Sequence, residues 1–315
     1  MVTISVLITA YNRRNFIADA IRSVLNQTLK NDEFEIVVVK NFADPSIDEL
    51  IQKNSIVSLL KGECSIGEMM HDGLKLCRGE IIALLDDDDM FEPAKLQKLK
   101  KIFSENENLC YYRNGYNEMD SQGNIISPKH RAGSLKIMRW TQALHMQSNK
   151  LRMNASCISF RKDVIENQYE VIRRINGAPD LALFYLAQDG ECNFCLDPEP
   201  LTRYRIHGLS AMHSGNRNDY AREIETLNVL TESIRSKDIL NDIERTKLRL
   251  SVLSAYKSGN LSRSYSHKLL KRFFKFPPRK VSDLFFITVL LISSASSYVG
   301  NKVLHWIDKR GPKYR

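Results

Sequence analysis

The feature that most constrains this chain is a repeated unit: a short β-branched apolar run, a break, and then apolar residues at helical spacing. Thr3 to Thr9 (TISVLIT) has the length and composition of a strand buried on both faces. Tyr11-Asn12-Arg13-Arg14 interrupts it, after which Phe16, Ile17, Ala20, Ile21, Val24 and Leu25 mark one face of a helix. Phe34 to Val39 (FEIVVV) reads as a second strand, Ile66 to Cys77 as a helix, and Ile81 to Leu85 (IIALL) as a further strand. Pro93 suits a first helical position, with Ala94, Leu96, Leu99 and Ile102 continuing at helical spacing to Phe103. This alternation predicts an α/β fold, a mostly parallel sheet with helices on both faces. Ligands on such sheets bind beyond the carboxyl ends of the strands, where Thr9 to Asn12, Lys40-Asn41 and Asp86 to Asp89 fall.

From about residue 109 the rhythm changes. Leu109 to Met119, Ile125-Ile126, Ala155 to Phe160 and Leu201 to Ile206 read as strands separated by turns such as Asp120 to Asn124, so the sheet is expected to continue as a mixed one. Beyond Gly215 the pattern is helical. The formal charge of +9 divides unevenly: residues 1–215 hold 26 Lys+Arg against 28 Asp+Glu, and residues 216–315 hold 20 against 9. The basicity therefore belongs to the last hundred residues. Six Cys in a chain of 315 residues predict reduced thiols and a cytosolic setting. Val2 to Ala10 lacks a basic leader and is read as a strand rather than an export signal.

Asp86-Asp87-Asp88-Asp89 closes an apolar strand, where adjacent like charges repel and raise one another's pKa. A cation is expected there. One or two carboxylates completed by phosphate and water are a usual way to hold Mg²⁺ or Mn²⁺, and on an extended segment Asp86 and Asp88 would share a face. The alternative is a solvated acidic turn in which Asp89 caps the next helix.

Ser5 to Asn12 (SVLITAYN), Ala20 to Thr28 (AIRSVLNQT), Phe34 to Val39 and Gly79 to Asp89 (GEIIALLDDDD) together resemble the nucleotide-binding half of the family 2 glycosyltransferases. The resemblance is strong over about residues 3–105 and looser to about 210. It implies a GT-A fold, Rossmann-like, with a C-terminal helical extension. The expected organisation is a catalytic domain over 1–215, divided into a nucleotide-binding half (about 1–108) and an acceptor half (about 109–215), followed by a basic helical region over 216–315. The implied reaction is transfer of a sugar, with inversion, from a UDP- or GDP-sugar to a glycan or lipid-linked acceptor. By the same resemblance Thr9, Tyr11, Asn41, Asp86 and Asp87 fall at the nucleotide, Asp88 ligates Mn²⁺ or Mg²⁺, and His207, in Tyr204-Arg205-Ile206-His207, reaches the metal or diphosphate. Asp180, in Pro179-Asp180-Leu181-Ala182-Leu183, is the implied general base, with Asp189 and Glu191 next in line; its alternative role is a helix N-terminal carboxylate. The chain departs from the family at Lys40-Asn41, where two acidic residues are usual, and at Met70-His71, where Arg-Asn is usual. Lys40 is expected to add positive charge near the nucleotide.

Two other readings stay open: a non-catalytic relative that binds a nucleotide or glycan, and a sugar-phosphate nucleotidyltransferase. The second should carry a Gly-rich loop after its first strand, and Thr9 to Arg14 contains no Gly. Cys192-Asn193-Phe194-Cys195 has CxxC spacing without a second pair to complete a zinc site. In the tail, Lys268, Lys271, Arg272, Lys275, Arg279 and Lys280 alternate with Phe273, Phe274 and Phe276, ahead of 18 uncharged residues from Leu284 to Asn301. Basic and aromatic residues together suit an interfacial helix on anionic lipid, which would hold the protein peripherally at the cytoplasmic face of a membrane. The apolar run is borderline for spanning a bilayer, and burial against a neighbouring helix or a second subunit is the alternative. No nucleic-acid reading motif accompanies the charge, so nucleic acid is not an expected partner.

Overall fold

A computed structural model describes residues 2–127, 133–145, 154–207, 219–276, 278 and 281–309. The first apolar run forms β1 (Ile4–Ala10), and α1 (Ile17–Leu25) follows with Ile17, Ala20, Ile21 and Val24 buried. β2 (Phe34–Lys40) is buried throughout. Next come α2 (Pro45–Lys53), capped by the Asp44 carboxylate, and β3 (Val57–Leu60). Neither is marked by the apolar pattern of the sequence. β3 is the sheet edge and only alternate residues of it are shielded, so it lacks the continuous apolar run that marks the inner strands. α3 (Ile66–Leu76) starts at a capping box in which Ser65 and Glu68 satisfy each other's backbone N–H. β4 (Ile81–Asp86), β5 (Met90–Phe91) and α4 (Lys95–Glu105) complete the first half.

The second half adds β6 (Leu109–Met119), β7 (Ile125–Ser127), β8 (Lys136–Arg139) and α5 (Trp140–His145). The expected strand from Ala155 instead begins as a 3₁₀ turn (Ala155–Cys157), because the Asn154 side chain accepts from Ser156 N and bends the chain before β9 (Ile158–Arg161). α6 (Asp163–Glu166), α7 (Tyr169–Arg173), α8 (Pro179–Asp189) and β10 (Asn193–Arg205) follow. The sheet order is β3-β2-β1-β4-β9-β6-β10-β5, with β7 on β6 and β8 on β10. β3, β2, β1 and β4 are parallel, whereas β9 runs antiparallel to both β4 and β6. One buried cluster joins α1 and α4 to one face of the sheet, and another joins α3 and α8 to the opposite face. Strand order reverses beside β1, so the crevice opens where Thr9 pairs in register with Asp86.

The helical tail consists of α9 (Asp219–Thr231), α10 (Lys237–Lys257), α11 (Arg263–Phe273), α12 (Val281–Ala295) and α13 (Ser297–Lys309). Leu227, Leu230, Ile239 and Ile243 share the core of α8, while Leu248, Leu269, Phe273, Phe286 and Leu304 form a separate cluster. The expected boundary at 215/216, and Arg279 and Lys280, lie outside the described residues. The uncharged stretch from Leu284 is divided at Ser296, and a Cβ on Gly300 would overlap Ser293, so α12 and α13 meet closely. Among the described residues no helix is long and apolar enough to cross a membrane.

The expectation of six reduced thiols is corrected at one pair. Leu109 and Asn193 are register partners on β6 and β10, which brings the neighbouring Cys110 and Cys192 together as a disulfide with Cα atoms 5.8 Å apart. Cys64, Cys77, Cys157 and Cys195 are free thiols. Cys195 packs in the cluster on the opposite face of the sheet from Cys192, so the CxxC residues do not converge on one ion.

Candidate active site

The acidic run is a turn and not the extended segment expected from the sequence. Asp86 ends β4, Asp89 N donates to Asp86 O at 3.2 Å, and β5 starts at Met90. Turning the chain over four residues brings oxygens of Asp86, Asp88 and Asp89 within 4.8 Å of one another. The site therefore gains Asp89, whose role in the sequence is only that of a helix cap in the alternative reading. Loss of solvent, followed by the charge of Asp88, pushes the buried Asp89 carboxyl up to about 8. Burial and then Asp89, Asp88 and Asp87 push Asp86 well above the usual carboxylate range. Asp87 is pushed up to about 6, mainly by burial, which its hydrogen bond from Arg13 only partly offsets.

Each raised carboxyl marks charge that the protein groups alone do not balance. Asp87 Oδ2 and Asp89 Oδ2 are buried without a hydrogen-bond partner among the described residues. Such orphaned acceptors cost about 1–3 kcal/mol each, and an all-oxygen donor set of this kind suits Mg²⁺ or Mn²⁺. The residues present thus fit a divalent cation held by Asp86, Asp88 and Asp89.

Cationic and ring groups close around the turn. Arg13 Nη1 lies 2.7 Å from Asp88 Oδ2, and Arg13 also binds Asp87. His207 Nε2 lies 2.9 Å from the same Asp88 oxygen, with its ring 4.9 Å from that of Phe16. Arg205, fully buried, donates from its backbone N to Asp89 Oδ1 (2.9 Å), from Nε to Asp88 O (2.7 Å) and from Nη2 to Asp19 (3.1 Å). It ties the end of β10 to the acidic turn and to α1 at once.

Asp180 connects to this turn through one short relay. Asp86 N donates to Ser156 Oγ (3.0 Å), Ser156 N to Asn154 Oδ1 (3.1 Å), and Asn154 N to Asp180 Oδ2 (3.2 Å). The other Asp180 oxygen accepts from Leu181 N at 2.9 Å, so the carboxylate also serves the start of α8. Asp189 instead accepts from Arg235 N and Ser236 N ahead of α10. Beneath the relay, Lys95 is fully buried, with Nζ 2.6 Å from Ser156 O, 3.2 Å from Thr202 Oγ1 and 3.7 Å from the centre of the Phe91 ring. Burial lowers its pKa to about 7. Ser156 and Lys95 carry no signal in the sequence, since each acquires its role from strands that meet only in the folded sheet, whereas Arg205 stands in the Tyr204-Arg205-Ile206-His207 segment that is singled out for His207 alone. Arg13 stood beside Tyr11-Asn12, and its place after β1 was the available signal.

Thr9 and Tyr11 lie at the carboxyl end of β1, with Tyr11 46% exposed. Tyr11, Asn12, Arg13, Arg14 and Asn15 line a cavity of about 340 Å³. Asn41 and Asn12 are joined reciprocally, Asn12 N donating to Asn41 Oδ1 (2.7 Å) and Asn41 Nδ2 to Asn12 Oδ1 (3.0 Å). Lys40 does not place its charge as expected: it is buried, with Nζ on Asp48 Oδ1 and Phe42 O, both at 2.7 Å. Asp48 on α2 draws it away. His71 is likewise held between Asp72 (2.7 Å) and Glu170 (3.2 Å).

A doubly wound sheet with an acidic turn at its switch point defines a class of α/β proteins whose ligands bind beyond the carboxyl ends of the strands. Within that class, the Glycosyl transferase family 2 model matches residues 5–168, and the chain belongs to that family. An uncharacterized glycosyltransferase of Haemophilus influenzae is 22% identical over 249 residues, covering 72% of this chain and 73% of that protein. One of Rickettsia bellii is 34% identical over 130 residues, and the match takes in 39% of this chain and only 18% of that longer protein. The minor teichoic acid biosynthesis protein GgaB of Bacillus subtilis is 24% identical over 228 residues, 68% of this chain and 24% of its own length. The crystal structure of S. aureus TarS 1-349 in complex with UDP-GlcNAc superposes with a TM-score of 0.66 at 14% identity, covering 99% of this chain and 93% of that one. The fold is GT-A, and the superposition extends over the C-terminal helices.

Proposed function

We propose that the protein is an inverting, metal-assisted glycosyltransferase that moves a sugar from a UDP- or GDP-sugar to a glycan or lipid-linked acceptor. The observation that carries this reading is the acidic turn at the β1/β4 switch point, with oxygens of Asp86, Asp88 and Asp89 within 4.8 Å of one another and the Asp86 backbone linked to Asp180 through Ser156 and Asn154. Asp86, Asp88 and Asp89 would hold Mn²⁺ or Mg²⁺, which offsets charge on the leaving diphosphate. Tyr11 offers a ring to the base, Thr9 and Asn41 line its side of the crevice, and Asp87 orients Arg13. Asp180 takes the proton of the acceptor hydroxyl as its oxygen attacks the anomeric carbon and the bond to the diphosphate breaks, with inversion. His207, on Asp88, steadies the diphosphate end. That TarS was crystallised with UDP-GlcNAc and with UDP favours a uridine donor, and the GgaB likeness favours a cell-wall polymer as acceptor.

The domain division at about 215, with the helical tail as a docking module, belongs to the same proposal. Lys268, Lys271, Arg272 and Lys275 are exposed on or just after α11, as are Phe274 (71%) after that helix and Leu284 (55%) on α12. This face suits peripheral attachment to anionic lipid, where a lipid-linked acceptor would be met. Calorimetric titration with UDP, GDP and their sugars, with and without Mn²⁺, tests the catalytic reading. Metal-dependent binding of one nucleotide sugar and its turnover are expected. Binding without any turnover would favour the non-catalytic relative, and no binding of either nucleotide would overturn the proposal.

A further inference from the structure

The acidic turn already has a resident cation. Two residues beyond the end of β1, Asn12 adopts a left-handed φ of 55°, and the reciprocal Asn12–Asn41 pair fixes that turn. The bend directs Arg13 onto the carboxylates, with Nε 3.0 Å from Asp87 Oδ1 and Nη1 2.7 Å from Asp88 Oδ2. Asp88 is thereby the member of the acidic triad that an arginine already holds. Asp89 Oδ1 takes a backbone N–H, and Asp86 is anchored through its own N–H on Ser156. A divalent ion and the guanidinium would compete for the Asp88 carboxylate, since two cations on one oxygen repel strongly in a partly desolvated site.

Two other basic side chains stand at the turn itself: Arg205, fully buried, donates to Asp88 O, and His207 shares the Asp88 oxygen that Arg13 holds. The remaining cations that the sequence brings near the strand ends are committed elsewhere. Lys40 is buried on Asp48, and His71 is held by Asp72 and Glu170. Arg14 lies over the Phe42 ring at 4.8 Å. The Arg13 side chain is 22% exposed and lines the cavity beside Tyr11, so it can turn without unfolding its loop. Its planar fork, now on two carboxylates, has the donor geometry that a diphosphate takes up equally well.

We propose that Arg13 is an exchange cation: it pairs with Asp87 and Asp88 in the protein without ligand, and when the donor binds it passes from Asp88 to the diphosphate, leaving Asp88 to the divalent ion. This rests on the donor reading above and goes beyond it, because it makes metal and diphosphate binding cooperative through one side chain and supplies the phosphate-facing cation that Met70-His71 does not. The test is calorimetry at pH 8 on the wild type, Arg13→Gln and Arg13→Lys, with MnCl₂ alone, with UDP at saturating Mn²⁺ (GDP if the wild type selects it), and with the unphosphorylated nucleoside. Arg13→Gln should bind Mn²⁺ alone about threefold or more tighter, having lost its competitor, and bind UDP about tenfold or more weaker, the size of one charge-assisted contact. Its affinity for the nucleoside should not change, and Arg13→Lys should fall between it and the wild type on UDP. Weaker binding of Mn²⁺ and UDP together would make Arg13 a structural clamp and overturn the exchange, as would unchanged UDP affinity. Nucleotide binding by the wild type with no effect of Arg13→Gln removes this proposal alone; failure of the wild type to bind either nucleotide removes the donor reading with it.

Discussion

Replacing Asp283 by Ala probes how the helical tail is held to α8 and the sheet. Asp283, near the start of α12, is fully buried and accepts from Arg249 Nη1 at 2.5 Å, with Arg245 Nε 3.9 Å away. Arg249 reaches on to Thr246 (2.7 Å), and Tyr185 of α8 donates to Asp242 (2.9 Å) and meets Thr246 at 3.1 Å. One buried network thus joins α12, α10 and the helix that begins beside Asp180. Removing the carboxylate leaves Arg245, 1% exposed, and Arg249, 8% exposed, without their shared counter-ion. Breaking a buried pair in this way costs about 3–5 kcal/mol, and the Asp242 carboxylate 3.9 Å from Arg245 keeps the expectation toward the lower end of that range. Urea denaturation followed by far-UV circular dichroism, with hydrogen exchange resolved over α10 and α12, measures the loss. Arg174→Ala is the internal control: its partner Glu232 is 2.6 Å away, but both side chains are more than half exposed, so a change of no more than about 1 kcal/mol is expected. If Asp283→Ala unfolds within about 1 kcal/mol of the wild type, the network does not hold the tail and the reasoning is refuted. Replacing Arg245 and Arg249 by Met together with Asp283→Leu should recover most of the loss, because the cost lies in stranded charge.

Asp88→Ala should abolish Mn²⁺-dependent nucleotide binding with the circular dichroism spectrum unchanged; undiminished affinity would remove Asp88 from the metal site. Asp180→Asn should keep nucleotide affinity and lose transfer by about 10²-fold or more in single-turnover assays, and near-normal turnover would move the base elsewhere. Lys95 gives a pH signature: burial lowers its pKa to about 7, so between about 7 and its ordinary value of 10.5 the unfolded chain binds the extra proton. The wild type should therefore gain stability relative to Lys95→Met as pH rises through that window, by at most about 1.4 kcal/mol per unit, and a flat difference in urea midpoints would contradict the assignment. Binding to anionic vesicles should fall with rising salt and fall further in Lys268→Gln/Lys271→Gln/Lys275→Gln, as screening of a surface attraction requires; salt-independent binding would argue against the lipid face.

The parallel half of this fold is legible in the apolar pattern alone. A strand covered on both faces must be apolar nearly throughout, so β1, β2 and β4 announce themselves, and the acidic run is visible because nothing in a core tolerates it without a cation. Family membership followed from the same residues. The edge strand β3 escaped because half of it faces solvent, and the 3₁₀ turn at Ala155–Cys157 escaped because a side-chain hydrogen bond from Ser156 N to Asn154 sets it, not a propensity. Only the tertiary structure decided which carboxylates converge, since the reversal after Asp86 brings Asp89 in and gives Asp87 to Arg13. It also decided the fate of the charges. Lys40, expected near the nucleotide, is buried on Asp48, whereas Arg205, marked in the sequence only as a neighbour of His207, binds the turn and Lys95, silent in sequence, binds its supporting relay. Apolar periodicity is a local signal that packing merely enforces, but the partner of a buried charge is chosen by whichever distant segment the sheet order brings within hydrogen-bond reach.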